Sequence, residues 1–186
     1  MIKHLKNCNS WDILFNILST NDKFLIGKSI LQIGVKKKSY GVHNWLKMFK
    51  IFKEFGYTDF DVMDVWKPNL DNLEYWEYLG DKILGNINNI DKLITKQYNI
   101  ILFWHGIEHL EKNEFSILQS KLDLLSGTIL IMGCPYGEFK QGEVDGNPYE
   151  EHKTHWQPEE LESFGYDIFT TDFENRKDII GIKYIE

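Results

Sequence analysis

The chain has 186 residues, a length that suits one domain with a substantial core. Its formal net charge of -7 excludes a general positive field that would attract nucleic acid or an anionic membrane, so a small-molecule substrate is the expected partner. Two cysteines, Cys8 and Cys134, match no metal-binding spacing, and no secretory signal or membrane-spanning run is found. These features predict a soluble, cytoplasmic protein whose oligomeric state the sequence leaves open.

Apolar runs of strand length alternate with stretches of helical period, which is typical of βαβ units and a largely parallel sheet. We expect one domain, with an N-terminal helical segment over 1–28 and a core over 29–186. Ser10 is the expected cap of the first helix. In chain order the pattern predicts a helix from residue 10, strand 29–35, helix 40–56, strand 59–65, helix 68–80, a weak strand 82–86, helix 88–97, strand 98–104, helix 111–127, strand 128–135, a long loop, helix 157–165, and strands 166–173 and 178–185.

The stretch "FWHGIEHL" contains H-x-x-E-H, the pattern of a class of zinc proteases. Zinc binding by this pattern requires His105 and His109 to share one helix face. His105 instead falls at the end of a predicted buried strand, Gly106 marks a turn, and His109 comes at the start of the next helix. A zinc-protease site, and with it a metal-dependent hydrolase, is therefore a distant alternative.

The strand ends carry a more specific pattern. The stretches "LQIGVKKKSYG", "VMDVWKPN", "FWHGIEHL", "GCPYG" and "QGEVDGNPYEEHKTHW" follow successive strands, and together they resemble a class I S-adenosylmethionine-dependent methyltransferase. The resemblance is most specific over 98–166. It implies an α/β fold: a three-layer Rossmann-like sandwich with a mostly parallel seven-stranded sheet, the last strand antiparallel, and helices on both faces.

The resemblance also assigns roles to residues at the strand ends. Gly34 would let the backbone approach the cofactor S-adenosylmethionine, and Asp64 would accept hydrogen bonds from its ribose hydroxyls. Asn86 would accept one from the adenine amine. The remaining cofactor-binding residues that the resemblance implies are Val65, Ile87, Trp104, His105 and Gly106.

The glycine motif departs from the family pattern. Where the family has an acid followed by three alternating glycines, this chain has Gln32, Gly34, Lys36 and Lys38, and it keeps only the first glycine. The basic run Lys36 to Lys38 favours an anion over a cationic sulfonium, unless its side chains turn into water or one of them pairs with the carboxylate of the cofactor. An inactive methyltransferase-like protein that binds an anionic ligand or a protein is therefore the alternative function.

The long loop over 136–156 is the expected substrate element, because loops of this length in compact domains are usually functional or disordered. His152 is predicted to be a general base or substrate anchor, with a role in pinning the loop as the alternative, and His105 is the second catalytic candidate. Trp156 and Tyr149 are expected either to cover an apolar substrate or to anchor the loop. The spacing of His152, His155 and nearby acids fits no dedicated metal site, so no metal ligand is predicted.

Overall fold

The protein is described by a computed structural model for residues 2–20, 28–35, 42–73, 79–174 and 176–185, with only the backbone described over 42–45. Within these ranges a single sheet has eight strands in the order β1-β7-β8-β6-β5-β2-β3-β4. The strands are β1 (Ile2–Lys6), β2 (Ser29–Ile33), β3 (Asp59–Asp64), β4 (Lys82–Leu84), β5 (Tyr98–Trp104), β6 (Ser126–Pro135), β7 (Asp167–Asp172) and β8 (Asp178–Tyr184).

Six helices are found in the described ranges, and the longer ones coincide with the predicted helical periods. They are α1 (Ser10–Thr20), α2 (Val42–Glu54), α3 (Lys67–Asp71), α4 (Ile90–Leu93), α5 (Lys112–Leu125) and α6 (Pro158–Glu162). Short 3-10 turns in the same described ranges lie over Ile87–Asn89, Ile107–His109 and Pro148–Glu150. No helix in this part of the chain is both long and apolar enough to cross a membrane.

The predicted fold class is confirmed, with a difference of one strand. β8 is antiparallel to both of its neighbours, β6 and β7, and every other described strand pair is parallel. The additional strand is β1, which pairs with β7 at the edge of the sheet, so the N-terminal segment is not purely helical as predicted. Its sequence, IKHLK, carries three basic or titratable side chains, which suits an edge strand but hides it from a search for apolar runs.

Alternating side chains on the central strands form two cores, one on each face of the sheet, and this produces the three layers. The core that α1 and α2 cover includes Ile30, Ile100, Leu102, Ile129 and Ile131. The core that α5 and α6 cover includes Leu31, Ile33, Ile101, Phe103, Leu130 and Met132. Both faces of β5 are thus buried, as its continuous apolar sequence predicted.

The cap of α1 is one residue earlier than predicted. The Asn9 side-chain oxygen accepts a hydrogen bond from the Asp12 backbone N–H at 2.9 Å, while Ser10 is the first helical residue and is buried. Asparagine and serine are about equally good caps, so composition alone does not choose between adjacent candidates. The shift places Asn9, Ser10 and Trp11 at one end of the sheet, next to the site described below.

Candidate active site

A cleft of about 580 Å³ lies at the carboxyl ends of β2, β3, β5 and β6, the position where open α/β sheets bind their ligands. All nine residues that the sequence analysis assigned to a site line this one cleft. They are Gly34, Asp64, Val65, Asn86, Ile87, Trp104, His105, Gly106 and His152. The structure therefore brings the predicted residues together, and their individual roles stay predictions.

Gly34 and Asp64 lie side by side at the cleft floor. Gly34 has a φ of +76°, which favours glycine, and a Cβ added to it would meet no atom within 4 Å, so the backbone here is open to a ligand. The lysines of the run Lys36 to Lys38 lie outside the described residues.

The Asp64 carboxylate is buried and already accepts three hydrogen bonds from the protein. Its donors are the backbone N–H of Val35 at 2.9 Å, the backbone N–H of Trp66 at 2.7 Å and the Asn69 side-chain amide at 3.3 Å. A carboxylate has about four acceptor positions, so roughly one is left for a ligand rather than the pair that two ribose hydroxyls would need. Burial raises the pKa of Asp64 above its usual value, although the hydrogen bonds oppose this effect.

Asn86 caps the 3-10 turn Ile87–Asn89, because its side-chain oxygen accepts a hydrogen bond from the Asn88 backbone N–H at 2.9 Å. The same oxygen is the predicted acceptor for the adenine amine. One of its two lone pairs is therefore used by the turn, and one is available for a ligand.

The exit of β5 has a strained backbone. His105 has a φ of +50°, which is uncommon for a residue with a side chain and is often found at functional sites. Gly106 follows it, and a Cβ at this position would lie 1.9 Å from the Phe103 ring, so only glycine fits. The His105 Nδ1 atom lies 3.3 Å from Glu108 Oε1, and Trp104 packs against Trp11 with ring centroids 5.2 Å apart.

The long loop after β6 is folded back onto the turn that follows β5. The backbone N–H groups of Lys153 and Thr154 both donate to the Glu108 carbonyl, at 2.9 and 3.1 Å. Trp156 is 2% exposed and packs on Phe115, so it anchors the loop to the core instead of covering a substrate. Tyr149 is half exposed and lines the cleft, so a substrate can contact Tyr149 but not Trp156.

His152 is placed to pin the loop and also lines the cleft, while its predicted role as a general base or substrate anchor stays a prediction. Its Nδ1 atom lies 2.6 Å from the Phe139 carbonyl oxygen, which pins the loop, and its ring also lines the cleft. A carbonyl oxygen can only accept a hydrogen bond, so Nδ1 carries the proton and Nε2 carries the lone pair. Burial lowers the pKa of His152 below its usual value, which favours this neutral form near neutral pH.

Several cleft residues were not predicted to belong to the site. Glu108 and His109 were considered for a zinc-protease pattern and placed at the start of the next helix, whereas they lie on a 3-10 turn, and α5 begins only at Lys112. Arg176, between β7 and β8, reaches the cleft and places its guanidinium 3.4 Å from His105 Nε2. His155, which was considered with His152, is exposed and does not line the cleft. The sequence pattern started a helix where this 3-10 turn lies, and no local signal indicated Arg176.

This chain matches known proteins in its fold and not in its sequence. No protein-family model and no curated protein sequence matches the chain. Among solved structures, magnesium protoporphyrin IX methyltransferase from Synechocystis PCC 6803 with bound S-adenosylhomocysteine matches with a TM-score of 0.63 and 12% identity, over 95% of this chain and 82% of that one.

Two other solved structures match over most of both chains. An S-adenosylmethionine-dependent methyltransferase from Archaeoglobus fulgidus has a TM-score of 0.62 and 14% identity, over 95% of each chain. A putative rRNA methylase from Clostridium thermocellum has a TM-score of 0.56 and 14% identity, over 98% of this chain and 99% of that one. The chain therefore has the fold of the S-adenosylmethionine-dependent methyltransferases.

Proposed function

We propose that the protein is an S-adenosylmethionine-dependent methyltransferase that acts on a small-molecule acceptor. The observation that carries this proposal is the convergence of Gly34, Asp64 and the exit of β5 on one cleft at the carboxyl edge of the sheet. Solved structures of the same fold contain S-adenosylmethionine or S-adenosylhomocysteine. When bound, the cofactor supplies a sulfonium methyl group for in-line transfer to an acceptor atom.

The described residues fit this cofactor. Open backbone at Gly34 allows close approach, Asp64 has about one acceptor position left for a ribose hydroxyl, and Asn86 has one for the adenine amine. The cleft lining in the described ranges also has more acidic than basic side chains, which favours a cationic sulfonium over an anion. The acids are Asp64, Glu108, Glu114, Glu150 and Asp178, and the basic residues are Lys153 and Arg176.

The same lining favours a small acceptor over a polyanion such as RNA. Nucleic-acid sites require clustered positive charge, and the chain has a formal net charge of -7. The cleft volume lies within the range of small-molecule sites. Phe139 and Tyr149 are partly exposed and line the cleft, so they offer apolar contacts to an acceptor.

Isothermal titration with S-adenosylmethionine, and separately with S-adenosylhomocysteine, tests this function. We expect a Kd in the micromolar range for the unmodified protein. Asp64→Ala should raise the Kd about 10- to 100-fold, because it removes a charge-assisted hydrogen bond worth about 1.5 to 3 kcal/mol. Asp71→Ala is the matched control, since Asp71 is exposed on α3, pairs with Lys67 and does not line the cleft.

One outcome would contradict the proposed function, and a second would contradict only the role of Asp64. No binding at millimolar ligand would leave a methyltransferase fold without its cofactor, and an anionic or protein ligand would become the leading function. An unchanged Kd in Asp64→Ala would show that this carboxylate does not hold the ribose. Thermal melting of each variant separates lost binding from lost folding, since Asp64 also accepts from the backbone N–H groups of Val35 and Trp66.

A further inference from the structure

Three potential metal ligands meet at one wall of the cleft. Glu108, His109 and His152 each place one ligand atom within 4.8 Å of the other two. Glu108 and His109 lie on the 3-10 turn after β5, and His152 comes from the long loop after β6. The two imidazole rings contact each other with centroids 4.9 Å apart. Residues far apart in sequence thus form a compact group that borders the proposed substrate site.

Both histidines are held in the tautomer that binds metal. His109 Nδ1 lies 3.1 Å from the Glu151 carbonyl oxygen, and His152 Nδ1 lies 2.6 Å from the Phe139 carbonyl oxygen. Because a carbonyl oxygen can only accept, each Nδ1 carries a proton and each Nε2 carries a lone pair. Histidine ligands of metals usually donate their second ring N–H to a carbonyl or carboxylate in this way.

The Glu108 carboxylate provides an independent indication that a cation binds here. Glu108 is 2% exposed, and its Oε1 atom lies 3.3 Å from His105 Nδ1. Its Oε2 atom is buried and has no hydrogen-bond partner among the described residues. A buried carboxylate oxygen without a donor is costly, and a bound cation would supply the partner it lacks.

The backbone fixes these ligands in advance. The N–H groups of Lys153 and Thr154 donate to the Glu108 carbonyl, which ties the loop segment following His152 to the turn that carries Glu108 and His109. The Thr154 hydroxyl also donates to the Leu110 carbonyl at 3.0 Å. The loop therefore holds the three side chains near each other without the help of an ion, as a preformed site requires.

We infer that Glu108, His109 and His152 bind a divalent transition-metal ion such as Zn²⁺ or Mn²⁺. Two imidazole nitrogens and one carboxylate form a known ligand set for such ions, and this set leaves coordination positions open. All three residues line the cleft, so the open positions face the proposed substrate. This inference departs from the sequence-based expectation of no metal site.

The role of this metal site in catalysis deepens the proposed function and rests on it, whereas metal binding itself does not. A bound cation lowers the pKa of a hydroxyl that it contacts, so the acceptor would be an oxygen nucleophile whose proton leaves to solvent. The acceptor oxygen then forms a bond to the methyl carbon, and the bond from that carbon to sulfur breaks with its electron pair left on sulfur. His152 serves in this scheme as a metal ligand instead of the general base.

Metal titration of the EDTA-treated protein, without any cofactor, tests the site. We expect Zn²⁺ and Mn²⁺ to bind with about one ion per chain. His109→Ala and His152→Ala should each weaken binding by about 100-fold or more, and His105→Ala, which removes the outer partner of Glu108, by about 10-fold. His155→Ala is the matched control, because His155 is an exposed histidine three residues from His152 that lies outside the group.

Binding that is absent, or that falls equally in His155→Ala, would overturn the inference and leave a hydrogen-bonded cluster that merely pins the loop. If His152→Ala melts below the assay temperature, His109→Gln with Co²⁺ as the probe gives the same test, since its visible absorption reports loss of an imidazole ligand. Titration of the EDTA-treated protein with S-adenosylmethionine tests the methyltransferase proposal separately. Cofactor binding without metal binding would refute only the metal site. Metal binding without cofactor binding would refute only the proposed methyltransferase function.

Discussion

Replacing Trp156 with alanine is expected to lower the free energy of unfolding by about 3 to 5 kcal/mol. The side chain is 2% exposed, and its ring packs edge-on against Phe115 with centroids 4.9 Å apart. Its indole N–H donates to the Ile107 carbonyl at 3.3 Å, so truncation removes both a large apolar contact and the partner of a backbone acceptor. Denaturant unfolding should show a lower midpoint with an unchanged slope, and the melting temperature should fall by about 6 to 20 °C.

The adjacent residue provides the control for this prediction. His155 is exposed, and His155→Ala should change the unfolding free energy by no more than about 0.5 kcal/mol. Trp156 lies at the end of the loop that carries His152, and its carbonyl accepts a hydrogen bond from the Gly137 N–H at 2.9 Å where the loop begins. Equal stability of Trp156→Ala and the unmodified protein would mean that the loop is not anchored by this residue.

The central strands could be predicted because their sequences reflect burial on both faces. β5 is apolar at six of its seven positions and β6 contains the apolar run ILIM, whereas β3 has three aspartates among its six residues. The apolar runs and the alternating order of strands and helices together indicate a parallel sheet. β1 could not be found in this way. Its pairing with β7 depends on an edge that exists only after the rest of the sheet has formed.

The site residues at strand ends were predictable for a geometric reason, since the carboxyl ends of parallel strands meet at one edge of the sheet. The strand assignments placed Gly34, Asp64 and His105 at this edge, and the family resemblance assigned roles to them. Contacts that depend on the path of a loop could not be predicted from the sequence. His152 contacts His109 because the loop donates hydrogen bonds to the Glu108 carbonyl. Spacing along the chain contains no information on such a contact.

The number of acceptor positions left on a site residue also depends on the folded structure. Asp64 was predicted to accept from two ribose hydroxyls, but three protein donors already bind its carboxylate. Two of these donors are backbone N–H groups in the turns after β2 and β3, and the third is the Asn69 side chain on α3. The sequence specifies the direction of none of them. Residue type and position were therefore predictable here, whereas hydrogen-bonding capacity was not.

Asp61→Ala is expected to lower the free energy of unfolding by about 2 to 4 kcal/mol. Asp61 is 2% exposed in the middle of β3 and accepts hydrogen bonds from the Tyr98 hydroxyl and the Asp81 N–H, both at 2.6 Å. Its Oδ2 atom also lies 2.7 Å from Lys96 Nζ. Alanine would leave the buried Tyr98 hydroxyl without an acceptor, and denaturant unfolding measures the cost.

Asp59→Ala is the control that distinguishes the effect of the buried hydrogen bonds of Asp61 from that of a surface ion pair. Asp59 pairs with the same lysine at 2.9 Å, but its side chain is 41% exposed. An exposed pair contributes at most about 1 kcal/mol, so this variant should be nearly as stable as the unmodified protein. Similar losses in Asp59→Ala and Asp61→Ala would place the stabilisation in Lys96 and not in the buried hydrogen bonds of Asp61.

The stability difference between the unmodified protein and Asp61→Ala should also depend on pH. Burial raises the pKa of Asp61, but hydrogen bonds from Lys96, Tyr98 and Asp81 together lower it by more than burial raises it. The folded-state pKa therefore lies below the usual 3.8. A carboxyl group with a depressed folded-state pKa stabilises the protein above its unfolded-state pKa, and this contribution is lost as the pH falls through the folded-state value. We therefore expect a constant difference from about pH 7 to about pH 5 and a decline below pH 3.8, measured by urea unfolding. A difference that grows on acidification would mean that the Asp61 carboxyl is protonated in the folded protein and donates to its neighbours.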